Sequence, residues 1–173
     1  AVALAGRHGG EGLGPGGALD AVPLLRWLCT RGADMEAVDE EGNALLHMVD
    51  WSLGAGTAAP LAEWALKEAR VEHGGARNRE GDTPALLCAY SSPSGQDALT
   101  CLELLAAAGT DLSLASAGGI NLAMALARYQ GQGQWLAWCD DKVGLDPAAR
   151  CAKGRTVAEH LALYGAEESE EES

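Results

Sequence analysis

Apolar residues along the chain come in short helical runs that alternate in kind. One kind is leucine-rich and closes on a glycine: LLRWLCTRG at 24–32, CLELLAAAG at 101–109 and WLAWCDDKVG at 135–144. The other is smaller and opens on a glycine: GNALLHMV at 42–49, GDTPALLCA at 81–89, GINLAMALA at 119–127 and GRTVAEHLA at 154–162. The spacing predicts helices for both kinds. Gly32 and Gly42 lie ten residues apart, as do Gly109 and Gly119, and Gly144 and Gly154. Between each pair runs a polar stretch with the length of a hairpin-like turn.

The opening glycines at 42, 81, 119 and 154 are 39, 38 and 35 residues apart. A fixed period of this size marks stacked repeats, in which no unit buries its apolar face alone but neighbours do so together. The copy before Gly81 is irregular, carrying EARVEHGGARNRE in the connecting stretch. Surplus residues fall between the paired helices, as GGEGLGPGG near the start, DWSLGAGTAAP at 50–60 and YSSPSGQD at 90–97. Their Gly, Pro and Ser clusters predict loops.

Thr83-Pro84 in GDTPALLCA, Leu46-His47 in GNALLHMV and Gly32-Ala33-Asp34 ahead of a turn carry a likeness to a known family. The pattern resembles the ankyrin repeat, a 33-residue unit whose first helix opens with T-P-L-H-x-A. The likeness covers the chain to about Gly165, strong in phase and thin in letters, with units longer than the family's. It implies an all-α, helix-turn-helix solenoid with hairpin turns between repeats. The repeats are about 1–38, 39–77, 78–115, 116–150 and 151–165 of a domain 1–165, and 166–173 form an acidic, disordered tail. For His47 the resemblance implies a structural role, hydrogen-bonding the turns between repeats.

Charge narrows the partners. Formal net charge is −13, and five acids lie in the last seven residues, so the body is acidic as well. Such a surface disfavours nucleic acid and anionic membranes and favours basic protein surfaces. No apolar run approaches the roughly 20 residues that span a bilayer. Five widely spaced cysteines without a CxxC point to a reducing compartment and buried thiols. A cytoplasmic chain fits this, and so does an organellar one after removal of a transit peptide.

Chemistry-bearing patterns are few. No His pairs with Cys, Asp or Glu at a zinc spacing, and HExxH, GxSxG and Walker A patterns are absent. GEGLGPGG at 10–17 lacks the Lys-Ser/Thr that would touch phosphate. No enzyme, cofactor or metal is expected. Trp27, Trp64, Trp135 and Trp138 fall in the second helices and are expected to pack there, as are the cysteines.

In ankyrin repeats, partners are often held by the turn tips and the ends of the first helices, on the concave face. Those helix ends are here Arg7-His8, Trp51-Ser52, Tyr90-Ser91, Arg128-Tyr129 and Leu163-Tyr164. They hold all three tyrosines and one tryptophan, types that anchor interfaces. The expected partner-binding set is Trp51, Tyr90, Arg128, Tyr129 and Tyr164, with the tip residues Glu40, Glu41, Asn43, Arg79, Glu80 and Asp82. An alternative role for the aromatics is packing beneath the inserted loops. The tip charges run from acidic near residue 40 to basic at Lys153 and Arg155. The function this predicts is a non-enzymatic protein-binding module or scaffold; the alternatives are a peripheral subunit of a larger assembly or a regulatory fragment of a larger protein. The tail is solubilising, or else a lure for a basic partner or a lid over the chain's own basic end.

Overall fold

A computed structural model describes residues 21–129, 132–144, 146 and 148–167. The described residues are helical, with no strand. The α-helices are α1 (Ala21–Thr30), α2 (Ala55–Lys67), α3 (Pro84–Ser91), α4 (Gly95–Ala107), α5 (Leu122–Leu126), α6 (Gln132–Val143) and α7 (Val157–Glu167). Short 3-10 turns cover Leu45–Met48, Trp51–Leu53 and His73–Gly75. The expected Arg7-His8 helix end, the loop at 10–17 and residues 168–173 of the expected tail lie outside the described residues, whereas the tail's first two residues, Ala166 and Glu167, belong to α7.

Packing contacts arrange these elements in two rows. In one, α1 touches α2, α2 touches α4 and α4 touches α6; in the other, the turns at 45–53 touch α3, α3 touches α5 and α5 touches α7. The rows are joined where α3 packs on α4 and α5 on α6. Alanines 62, 65, 89 and 98 are fully buried where the helices meet, so backbones approach closely without Phe. Leu46, Leu86, Leu102, Leu105, Leu122 and Leu126 fill the space between them. Burying each such leucine contributes about 2 kcal/mol.

Each member of the second row is preceded by one recurring turn. Asp39, Asn78, Ser116 and Cys151 each donate a backbone N–H to the carbonyl four residues on, and accept at their own carbonyl the N–H of Gly42, Gly81, Gly119 or Gly154. These glycines have φ between 71° and 80°, a left-handed conformation. At Gly81 the approach is also tight, since a Cβ would lie 2.5 Å from the Ala117 nitrogen. Successive turns are tied together. Arg79 N–H donates to Glu41 O at 2.8 Å, and Ala152 N–H to Gly118 O at 2.7 Å. His47 Nδ1 accepts from Ala44 N–H, so Nε2 carries the proton and donates to Asp82 O at 3.2 Å.

Two residues after each turn glycine stands the helix cap. Thr83 Oγ1 accepts Leu86 N–H, and Asn121 Oδ1 accepts Met124 N–H. Thr156 and Glu159 form a reciprocal box at the start of α7. The equivalent Ala44 has no side-chain acceptor, and there the expected helix over 42–49 tightens into a 3-10 turn.

The expected loops at 50–60 and 90–97 are largely helical instead. Residues 51–53 form a 3-10 turn and 55–60 belong to α2; α3 continues to Ser91 and α4 begins at Gly95. Their small polar residues act as caps. Ser94 Oγ accepts Asp97 N–H, and Asp97 Oδ1 reaches across to accept Ala55 N–H at 2.8 Å, joining the starts of α4 and α2. After α2, the left-handed position that Gly32, Gly109 and Gly144 take after their helices is filled by Arg70, with φ 54°.

Candidate functional site

The face of α3, α5 and α7 carries an open cleft of about 410 Å³. Its base is apolar, made by Ile120, Met124 and Ala125. Its rim is made by Tyr90, Arg128, His160 and Tyr164. Three expected residues therefore meet here, and His160 joins them.

Tyr90 sits at the end of α3, half-buried. Burial, foremost, and then the Asp82 carboxylate and Tyr164 hold its phenol up to about 12, against a relieving hydrogen bond with Ser116. Arg128 is exposed. Its guanidinium donates to Tyr90 O and lies 5.3 Å from the Tyr129 ring centroid. Tyr90 O lacks a helix partner because α3 stops at Ser91, so Arg128 caps α3 from the segment after α5 and is fixed at the rim by doing so. Tyr164, 39% exposed, projects from α7 one turn beyond His160. His160 Nε2 is buried and has no hydrogen-bond partner among the described residues. Its pKa is pushed down by burial and then by the charge of Arg155, with Lys153 adding to it and Glu159 opposing.

Two expected contact residues are corrected. Trp51 is 2% exposed, part of the core beneath α2 and α3, and offers no surface to a partner in this conformation. Tyr129 is 9% exposed, and its hydroxyl donates to Ser92 O at 2.6 Å with Ala89 O at 3.0 Å. Four residues beyond Ala89 stands Pro93, which has no N–H, so Tyr129 serves a carbonyl the helix leaves over. Both aromatics pack inward, as the alternative role had it.

The tips divide similarly. Glu40, Glu41, Arg79 and Glu80 have exposed side chains. Asn43 and Asp82 are partly buried spacers. The Asn43 amide bonds Asp39 Oδ2 and accepts from the Asn78 amide at 3.0 Å. The Asp82 carboxyl is held up by burial and then by Glu80. Among the tryptophans, Trp64 and Trp135 are buried and Trp138 partly so, whereas Trp27 is 51% exposed with Arg31 stacked on it at 4.8 Å. Four cysteines are buried, and Cys29 departs from expectation by being exposed.

Among the described residues no three His, Cys, Asp or Glu side chains converge to hold a metal. No helix among them is long and apolar enough to cross a membrane. His160 was legible in EHLALY, where it precedes Tyr164 by four residues and so shares its helix face. No protein-family model matches the chain, and no curated protein sequence matches it at a significant level.

Proposed function

We propose that the chain is an ankyrin-like repeat module, non-enzymatic, that binds a protein partner along the face of α3, α5 and α7. The single observation that carries this is the cleft. It places two partly accessible tyrosines and an arginine over an apolar base, the residue types that most often anchor interfaces. The recurrent turns support the repeat reading and put the exposed tips of Glu40, Glu41, Arg79 and Glu80 beside successive units. A basic partner suits the acidic tips near residue 40. The experiment is capture of partners on the immobilised chain with two variants. Tyr164→Ala should lose the partner, and Glu103→Ala, an exposed change on α4 in the other row, should keep it. Retention by Tyr164→Ala with loss by Glu103→Ala rejects the cleft.

A second reading, a subunit of a larger assembly, is favoured by α1. Its Leu24 and Trp27 lie three residues apart on one helix face, and both are exposed. A blue shift of Trp27 fluorescence on assembly, absent from Trp27→Phe, would identify that surface as the docking face.

A further inference from the structure

Resting on that reading of the cleft, we propose that its occupant is an acidic segment of the partner polypeptide, a carboxylate side chain next to an aliphatic one.

Charge is sorted along the chain in a way the total of −13 conceals. Residues 21–115 carry six Lys or Arg against fourteen Asp or Glu, whereas residues 116–164 carry five against four. The cleft lies mainly in the second part. Just past the end of α5, Arg128 brings a permanent charge and no acceptor to the rim, with N–H donors besides the one given to Tyr90 O. On α7, His160 lines the cleft, its Nε2 buried and without a hydrogen-bond partner among the described residues. Lys153 and Arg155, in the preceding turn, lie near enough to act on that imidazole.

The acid beside His160 is occupied. Glu159 Oε2 accepts the Thr156 N–H at 2.7 Å and lies 3.6 Å from Arg150. Asp82, close enough to act on Tyr90, is partly buried, and burial and then Glu80 hold its carboxyl pKa up. A carboxylate entering the cleft therefore meets the Arg128 guanidinium and the Tyr164 side chain, with the charges of Lys153 and Arg155 close by. A lysine there would meet a guanidinium. Ile120, Met124 and Ala125 supply the contact for an aliphatic neighbour.

The test is affinity selection of short random-sequence peptides on the full chain at about 0.15 M salt, where charges beyond about 8 Å are screened. Selected peptides are then measured by fluorescence anisotropy. The expected binders place Asp or Glu beside Leu, Ile, Val or Met. Tyr164→Ala should weaken them, and the exposed double reversal Lys153→Glu/Arg155→Glu should weaken them about tenfold or more. Circular dichroism of each variant establishes that it is folded. Binders that lack acids but need Tyr164 overturn this inference and leave the cleft reading standing. Acidic binders indifferent to Tyr164→Ala and to the reversal overturn both. Failure to recover any peptide overturns the inference. So does binding that appears only after Glu168, Glu170, Glu171 and Glu172 are changed to Gln, because the cleft then belongs to the chain's own C-terminus.

Discussion

Removing one oxygen atom separates the two roles of the helix-end aromatics. Tyr129→Phe keeps the ring, its volume and its place under Arg128. It deletes the hydroxyl that donates to Ser92 O at 2.6 Å and lies 3.0 Å from Ala89 O. Both carbonyls sit where α3 has ended, and Pro93 cannot serve Ala89. The site is buried, so water does not readily replace the phenol. Losing a neutral hydrogen bond costs about 1 kcal/mol, and leaving its buried acceptor unsatisfied raises the total to about 2 kcal/mol. For a chain of this size each kcal/mol lowers Tm by about 2–4 °C, giving a drop of about 4–8 °C. Thermal unfolding followed by circular dichroism measures this directly. Partner affinity of the folded variant should be unchanged, because the hydroxyl faces the protein. An unchanged Tm together with weakened binding would refute the burial argument and return Tyr129 to the interface.

Three further outcomes follow from the packing. Asp97 has its carboxyl pKa held below the ordinary carboxylate range, first by Ser94 and then by the Ala55 N–H. A depressed folded pKa contributes stability above the unfolded value that is lost as pH falls through the folded one. Asp97→Asn should therefore lower Tm at neutral pH and flatten the loss below about pH 4, and parallel acid-unfolding curves would contradict the link. Gly95→Ala would place a Cβ 2.4 Å from Trp135 Cζ2, so it should destabilise by about 1–3 kcal/mol in urea unfolding; an unchanged midpoint would mean that α4 and α6 do not meet so closely. Ultraviolet titration should show Tyr90 ionising only at about 12, with the buried Tyr129 also above the ordinary phenol range, and ionisation of both at about 10 would contradict their burial.

Much of this architecture was legible in the glycine phase. Gly42, Gly81, Gly119 and Gly154 recur because each turn needs a left-handed residue at one place, and that need is local. The caps two residues later are equally local and could be read as Thr83, Asn121 and Thr156. The inserts misled because small polar residues serve loops and helix caps alike. Ser94 and Asp97 in YSSPSGQD start α4, with Asp97 also holding α2, 42 residues away in sequence. A composition count cannot register a bond across that separation.

The site was half legible for a related reason. Equivalent sequence positions group Trp51, Tyr90, Tyr129 and Tyr164, but side-chain direction depends on what the neighbouring elements leave open. Tyr129 turns inward because α3 ends with unserved carbonyls, a consequence of Pro93. Tyr164 has no following unit packed over it among the described residues and stays at the surface. Arg128 does both, capping α3 with its guanidinium while forming the rim of the cleft.

The central claim is that the partner lies on the face of α3, α5 and α7. The most direct measurement places a photo-activatable phenylalanine analogue at position 164, and separately at position 103 on α4, in the otherwise full chain. Irradiation with the captured partner should give a crosslink from position 164 and none from 103. Crosslinking from 103 alone would put the partner on the opposite row and contradict the account.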